Sequence, residues 1–332
     1  MNLKSYFCEK LFFMKIFIAL FLSFFIINAC DDGDVAVQEI TFESIAGAQC
    51  PNTQTVYKIK GNEILYLKII KQDFPFKEDQ TEANKPRIYN IGSEASVTYR
   101  TYSGAVSGAN VCDAGTATPN LVEEWTATGG TIEITSTISK NNSTATAENT
   151  NAEEIDGYNY LIIFKNITFK KPIGEQFYEE FRFGNFKPEF KKLDFKVFTD
   201  KIKKCPTSNN LTSKNGITSL ISFDNNVAGL IQNEITSVNN PRISVISDTN
   251  NLYYRIFTTN FTGNADYKCA TSYTITDPIL SQEWKATTGS VQVETTKSGD
   301  LYIHKFYLVG VKFKRGNSEF LLGDKFYLGE LE

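Results

Sequence analysis

The sequence predicts an all-β protein made of two tandem homologous domains, each a β-sandwich or a small barrel. Three observations carry this. The phrase EEWTATGGTIEIT (123–135) returns as QEWKATTGSVQVET (282–295), and each occurrence holds one of the chain's only two tryptophans, Trp125 and Trp284. A displacement of the sequence by 155 residues brings Cys50-Pro51 onto Cys205-Pro206, Pro86-Arg87-Ile88 onto Pro241-Arg242-Ile243, and Tyr99-Arg100 onto Tyr254-Arg255. Apolar and polar residues alternate over short runs, with no stretch of helical period.

The elements follow in order. ILYLKII (64–70) and SLISF (219–223) read as corresponding strands, as do SVTYRTY (96–102) and LYYRIFT (252–258). PNLVEEW (119–125) and DPILSQEW (277–284) offer room for one short helical turn each, entered at a proline. TIEITST and SVQVETT then alternate cleanly, with Ile132 and Ile134 matching Val291 and Val293 on one face. YLIIFKNITFK and YIHKFYLVGVKFK are long and rich in aromatic and β-branched residues, and EEFRFGNF and DKFYLGEL close the copies. Seven or eight short strands per copy suit a sandwich or barrel. The cysteine and tryptophan order is Cys, Cys, Trp, not the Cys, Trp, Cys of immunoglobulin domains. The copies differ most between strands: Gly130 to Phe169 spans 39 residues and Gly289 to Phe313 spans 24, so the first copy has 15 more. These lie in SKNNSTATAENTNAEEIDG (139–157), whose polar composition predicts a mobile hairpin loop.

The first thirty residues stand apart. Lys15 precedes an apolar run from Ile16 to Ile27, too short for a membrane span of roughly 20 residues but suited to an export signal that starts at Met14. The run ends in Ile27-Asn28-Ala29-Cys30, which resembles the lipobox of bacterial lipoproteins. The resemblance implies cleavage after Ala29 and a diacylglycerol on Cys30, which becomes the N-terminus. Two or three acyl chains anchor firmly, each methylene contributing about 0.8 kcal/mol. The acidic DDGDVAVQE that follows resembles a surface-export signal, while Asp31 alone resembles an inner-membrane retention signal. The two signals conflict; the reading favours the outer membrane and leaves surface exposure open. The chain thus divides into a signal peptide (1–29), an acidic tether (30–37) and domains at 38–188 and 189–332.

The full chain carries −4; loss of Lys4, Lys10, Lys15 and Glu9 removes +2 and leaves the mature protein near −6. This argues against nucleic acid as a partner, which needs basic patches. Of six cysteines, Cys8 lies in the leader and Cys30 takes lipid, leaving Cys50, Cys112, Cys205 and Cys269. An even set in an exported protein reads as disulfides. The repeat selects pairings within each copy, Cys50–Cys112 and Cys205–Cys269. Each would close a loop of about sixty residues and stabilise by roughly 4 kcal/mol on the chain-entropy model.

Catalytic motifs do not emerge. With one histidine, His304, no histidine metal cluster forms; His304 reads as a strand-surface residue, and no cofactor or metal is called for. Glu124 and Glu283, each beside a tryptophan, are the remaining catalytic candidates. Glycoside hydrolysis needs a second carboxylate, which is not identifiable. The alternative is structural: Glu124 paired with Arg87 or Arg100, and Glu283 with Arg242 or Arg255, with Trp125 and Trp284 filling the cores. The sequence therefore points to a lipid-anchored envelope protein with a non-catalytic binding role toward a glycan or an envelope protein. Alternatives are an extracytoplasmic carboxylate glycosidase and a structural subunit of an outer-membrane complex.

Overall fold

A computed structural model describes residues 39–71, 74–113, 118–142, 149–190, 193, 201–206, 210–214, 218–224, 228–237, 239–258, 269 and 279–332. The signal peptide, Cys30 and the acidic tether lie outside the described residues. Thr41–Glu332 is one compact unit containing both copies.

The first copy holds β1 (Ala48–Gln49), β2 (Thr55–Lys60), β3 (Glu63–Ile69), β4 (Arg87–Asn90), β5 (Ala95–Tyr102), β6 (Leu121–Asn142), β7 (Glu153–Lys170) and β8 (Glu175–Phe186), with one short helix, α1 (Ala109–Cys112). The second holds β9 (Lys203–Lys204), β10 (Leu211–Lys214), β11 (Ser219–Asp224), β12 (Arg242–Val245), β13 (Asn251–Phe257), β14 (Leu280–Ser298), β15 (Leu301–Arg315), β16 (Ser318–Leu321) and β17 (Lys325–Leu331), with a 3₁₀ turn at Ala228–Leu230. The first sheet runs β1-β2-β3-β5-β6-β7-β8 with β4 beside β6; the second runs β9-β10-β11-β13-β14-β15-β16 with β12 beside β14 and β17 beside β15. The two antiparallel sheets thus share one connectivity, and each curls into a half-barrel.

The curl has a local cause. The near half of β6 pairs with β5 (Tyr99↔Trp125) and the far half with β4 (Tyr89↔Ile132), with register shifts between Ala127 and Thr131. Gly130 sits at the corner with φ +107°, where a Cβ would lie 2.7 Å from the carbonyl oxygens of Lys165 and Asn166. Gly289 repeats this at φ +101°, 2.7 Å from Val309 and Gly310 oxygens. Only glycine fits such a bulge, and the bulge bends the strand. One long strand therefore serves both halves of the curl, which is why β6 and β14 run to 22 and 19 residues where short strands were expected. The expected helical turns before the tryptophans are absent from the described part: Leu121 and Leu280 already pair with Tyr102 and Phe257. Cross-strand pairing there outweighs the local signal of a proline.

In each copy the segment before the first strand bridges the opening to the last strand. Lys58 on β2 donates to the Phe42 and Glu43 carbonyls, both at 3.1 Å, and the Glu43 oxygen lies where a Cβ on Gly184 of β8 would come within 2.5 Å. In the second copy Ile202 N donates to Glu330 O of β17 at 2.9 Å. The interior is mainly apolar and aromatic. Trp125 is 1 % exposed and packs on Tyr99 and Phe169 at ring separations of 5.0 and 6.3 Å. Trp284 is fully buried, with Phe320 edge-on at 5.3 Å. Each buried aliphatic or aromatic side chain contributes about 1.5–3 kcal/mol.

The copies are joined head to tail. The far end of the β6–β7 hairpin and residues 78–80 of the first copy meet the β15–β16 turn and residues 321–325 of the second. Asp79 Oδ1 accepts from Asn317 N (3.0 Å) and Ser318 Oγ (3.1 Å), and Ser318 Oγ accepts from Gln80 N (3.0 Å) and Tyr158 Oη (3.2 Å). The insertion expected to be a mobile loop is partly built into this joint. Asn141 and Asn142 extend β6 against Glu154 and Glu153, and Thr150 O accepts from Asp324 N at 2.9 Å. Asn149 Oδ1 accepts from Lys325 N (3.2 Å), and Glu153 Oε2 from Leu321 N (2.7 Å). Ile155 of β7 belongs to the apolar core of the second copy. Asn149 and Glu153 are thus matched by backbone groups of the other copy, and Thr150 and Asn151 also by the Asp324 carboxylate; residues 143–148 lie outside the described residues.

Candidate functional site

The duplicated residues occupy equivalent places. Disulfides join Cys50 to Cys112 and Cys205 to Cys269, 62 and 64 residues apart, each within its own copy. Arg100 and Glu124 face each other across β5 and β6, with Nε 2.6 Å from Oε2; Arg255 and Glu283 do the same across β13 and β14, also at 2.6 Å. The first pair is partly exposed. In the second, the Arg255 side chain is 4 % exposed, donates also to Ser222 Oγ, and stacks over Tyr253 at 4.2 Å.

Arg87 and Arg242 do not reach these glutamates. Arg87 donates to the Asp79 and Pro75 carbonyls at 3.0 and 3.4 Å. Arg242 donates to Glu234 O at 2.8 Å and to Thr295 Oγ1 at 2.9 Å. Both hold the loop that precedes β4 or β12, because the side chain leaves an edge strand at the point where the backbone has no next strand to meet. Above each tryptophan stands a cation: Lys171 Nζ is 5.0 Å from the Trp125 ring centroid, and the Arg315 guanidinium is 4.9 Å from that of Trp284.

His304 departs from the surface position expected of it. It is 2 % exposed, and its Nδ1 lies 2.9 Å from Thr295 Oγ1. Its place on β15 corresponds to Tyr160 on β7, since Thr295 pairs with His304 as Ser136 pairs with Tyr160. Arg242 donates to Thr295 Oγ1, which leaves the threonine hydroxyl proton for a neutral imidazole. Burial lowers the His304 pKa, and the Arg242 charge lowers it further. Tyr160 instead donates to the Phe76 and Lys77 carbonyls at 3.0 and 2.8 Å.

Sequence reasoning passed over three features. Thr81 and Thr236 each take part in the edge of the long strand: Thr81 N donates to Ser136 O and Thr81 Oγ1 accepts from Ser136 N, and Thr236 does the same with Thr295. They lie 155 residues apart, so the offset marks them. Lys58 is fully buried, and desolvation lowers its amine to about 8. The alternation of β2 puts it on the inward face with Val56, a signal obscured by its charge. Asp79 falls on Glu234 at the same offset, and its part in the joint is recognisable only from the structure.

Among the described residues no group of three His, Cys, Asp or Glu side chains could hold a metal ion, and no helix is long and apolar enough to cross a membrane. No protein-family model matches the chain, and no curated protein or solved structure is significantly similar to it.

Proposed function

We propose that this chain is a lipid-anchored envelope protein with a non-catalytic binding role, in which a duplicated β-framework presents non-equivalent loops to a glycan or an envelope protein. One observation carries the reading. The polar side chains repeated in both copies bond to the framework itself: Arg100 to Glu124, Arg255 to Glu283, Arg87 and Arg242 to loop carbonyls. Recognition then falls to what the copies do not share, as it often does where a rigid scaffold carries variable connections. The two disulfides fit an oxidising, extracytoplasmic compartment. The lipobox-like Ile27–Cys30 supplies the anchor, and the acidic run after it favours the outer membrane.

The test uses the whole mature protein on arrays of envelope glycans and envelope proteins. The variant Glu124→Gln/Glu283→Gln should retain binding to any ligand found. Loss of binding in that variant, with both disulfides intact, would place the site in the shared framework and refute the proposal. Mass analysis of the N-terminal peptide from cells reads the anchor separately: Cys30 should carry acyl groups.

A further inference from the structure

The same turn is used differently in the two copies. In the second copy the β15–β16 turn, Arg315–Ser318, is polar and covered: Asn317 and Ser318 bond to Asp79 and Gln80, and Arg315 Nη2 donates to Glu78 O. The corresponding turn of the first copy, between β7 and β8, is Lys171-Pro172-Ile173-Gly174, closed by Lys171 N donating to Gly174 O at 3.0 Å. Where Asn317 stands in the second copy, the first has Ile173, which is 89 % exposed. Leu121 and Val122 at the start of β6, and Phe177 early in β8, are exposed as well.

Register brings these residues to one end of the first copy. Lys60 pairs with Glu63, Glu63 with Thr101, Tyr102 with Leu121, Thr126 with Lys170, and Lys170 with Glu175. Val106 N donates to Gly61 O, so the segment leading into α1 joins the same end. The joint to the second copy uses the opposite end of β6 and β7. The chain also enters at the apolar end: Lys60 Nζ donates to Thr41 Oγ1 at 3.2 Å. From Cys30 to Thr41 is eleven residues, which span at most roughly 40 Å fully extended. An acyl chain on Cys30 therefore holds this end within that distance of a bilayer.

We propose that the Pro172–Ile173 turn, with Leu121 and Val122 beside it, is a membrane-docking tip that enters the lipid surface to which the N-terminus is anchored. This rests on the lipid-anchor reading above. Three or four apolar side chains bind a bilayer weakly alone, but a short tether raises their effective concentration at the surface. Exposed charges at this end are mixed, Lys60 and Lys170 against Glu124 and Glu175, so apolar entry dominates over attraction to anionic lipid. Docking would direct the second copy, at the other end of the first, away from the membrane.

The test couples the disulfide-intact chain from Cys30 to Glu332, through its Cys30 thiol, to a maleimide phospholipid in phosphatidylcholine vesicles containing some phosphatidylglycerol. Two variants are compared, Ile173→Trp and Leu301→Trp, the latter at an exposed turn of the second copy. With brominated acyl chains in the bilayer, the added emission of Ile173→Trp, taken as a difference from the native protein, should fall by roughly half and that of Leu301→Trp should scarcely change. High salt should leave the quenching in place. Equal quenching of the two variants overturns the docking, as does shielding of Ile173→Trp by self-association, seen as a concentration-dependent rise in mass without bromine quenching. The acylation reading fails on a different observation: an N-terminal peptide from cells that lacks acyl mass removes the native anchor and this proposal with it, whatever the coupled protein does.

Discussion

Ile155 is a residue of the first copy that serves the second. It lies on β7, is 1 % exposed, and is part of the apolar core that includes Trp284, Phe320 and Leu322. Ile155→Ala removes about three buried carbon groups at roughly 0.8 kcal/mol each, about 2.4 kcal/mol before any cavity is counted. The neighbouring backbone is held by Glu153 on Leu321 and Thr150 on Asp324, so it cannot collapse fully into the space. A cavity contribution brings the expected loss to about 3 kcal/mol, within the usual range for this substitution. Urea unfolding measures the total, and amide hydrogen exchange with mass spectrometry locates it. Protection should fall in β15–β17 as well as in β7. Loss confined to residues 41–186, or a total below about 1 kcal/mol, would show that the copies are energetically separate and refute the interlocked joint.

Four further outcomes follow from individual side chains. Glu283→Gln should cost more than Glu124→Gln in the same urea titration, about 1–2 kcal/mol against under about 1 kcal/mol, because Arg255 is buried where Arg100 is partly exposed, while solvent at the half-exposed glutamates screens both pairs. Lys58 has its pKa lowered in the fold to about 8. The unfolded chain therefore binds more protons between pH 8 and the ordinary lysine value, and stability should rise with pH across that window. The gain is at most about 3 kcal/mol, read as the difference between the native protein and Lys58→Met. His304 acts at the acid end: its folded pKa lies below 6.5, so its contribution is complete above that value and is lost as pH falls from 6.5 toward the lowered pKa. His304→Gln should flatten that part of the curve. Replacing Cys50 and Cys112 together by alanine should cost about 4 kcal/mol in thermal or urea unfolding, with the Cys205–Cys269 bridge still found by peptide mapping.

What was legible in the sequence is what the duplication kept. Trp125 and Trp284 announce their burial because two unrelated stretches would not retain the same rare residue at the same step. The cysteines announce their pairing because like copies must close like loops. The Arg–Glu pairs were narrowed to two arginines each, and only strand register could choose Arg100 over Arg87. Lys58 was illegible because its hydrogen bonds go to backbone carbonyls, which leave no mark in side-chain identity. The insertion misled for a related reason. Asn149, Thr150 and Glu153 have the composition of a solvent-exposed loop, and what holds them is the backbone at 321–325 of a strand pair distant in sequence. His304 stands where the first copy has Tyr160, so only the three-dimensional register assigns it an interior place.

The 15 extra residues of the first copy also set how far the architecture extends. A head-to-tail joint is heterologous: it joins unlike surfaces and, unless the rotation closes a ring, can be repeated without end. Here each outer end lacks half of what the joint requires. The second copy turns from β14 to β15 through Gly299 and Asp300, with no arm of the length that carries Asn149 and Ile155 in the first. The first copy presents Pro172 and Ile173 where the second presents Gly316 and Asn317 to Asp79. If further copies were to add through this joint, these two differences, one a truncation and one a change of polarity, should act as stops. Grafting residues 139–157 in place of residues 298–301, together with Pro172→Gly and Ile173→Asn, should release both stops and give end-to-end oligomers by light scattering; a strictly monomeric product would show that the ends are blocked by something other than these two features.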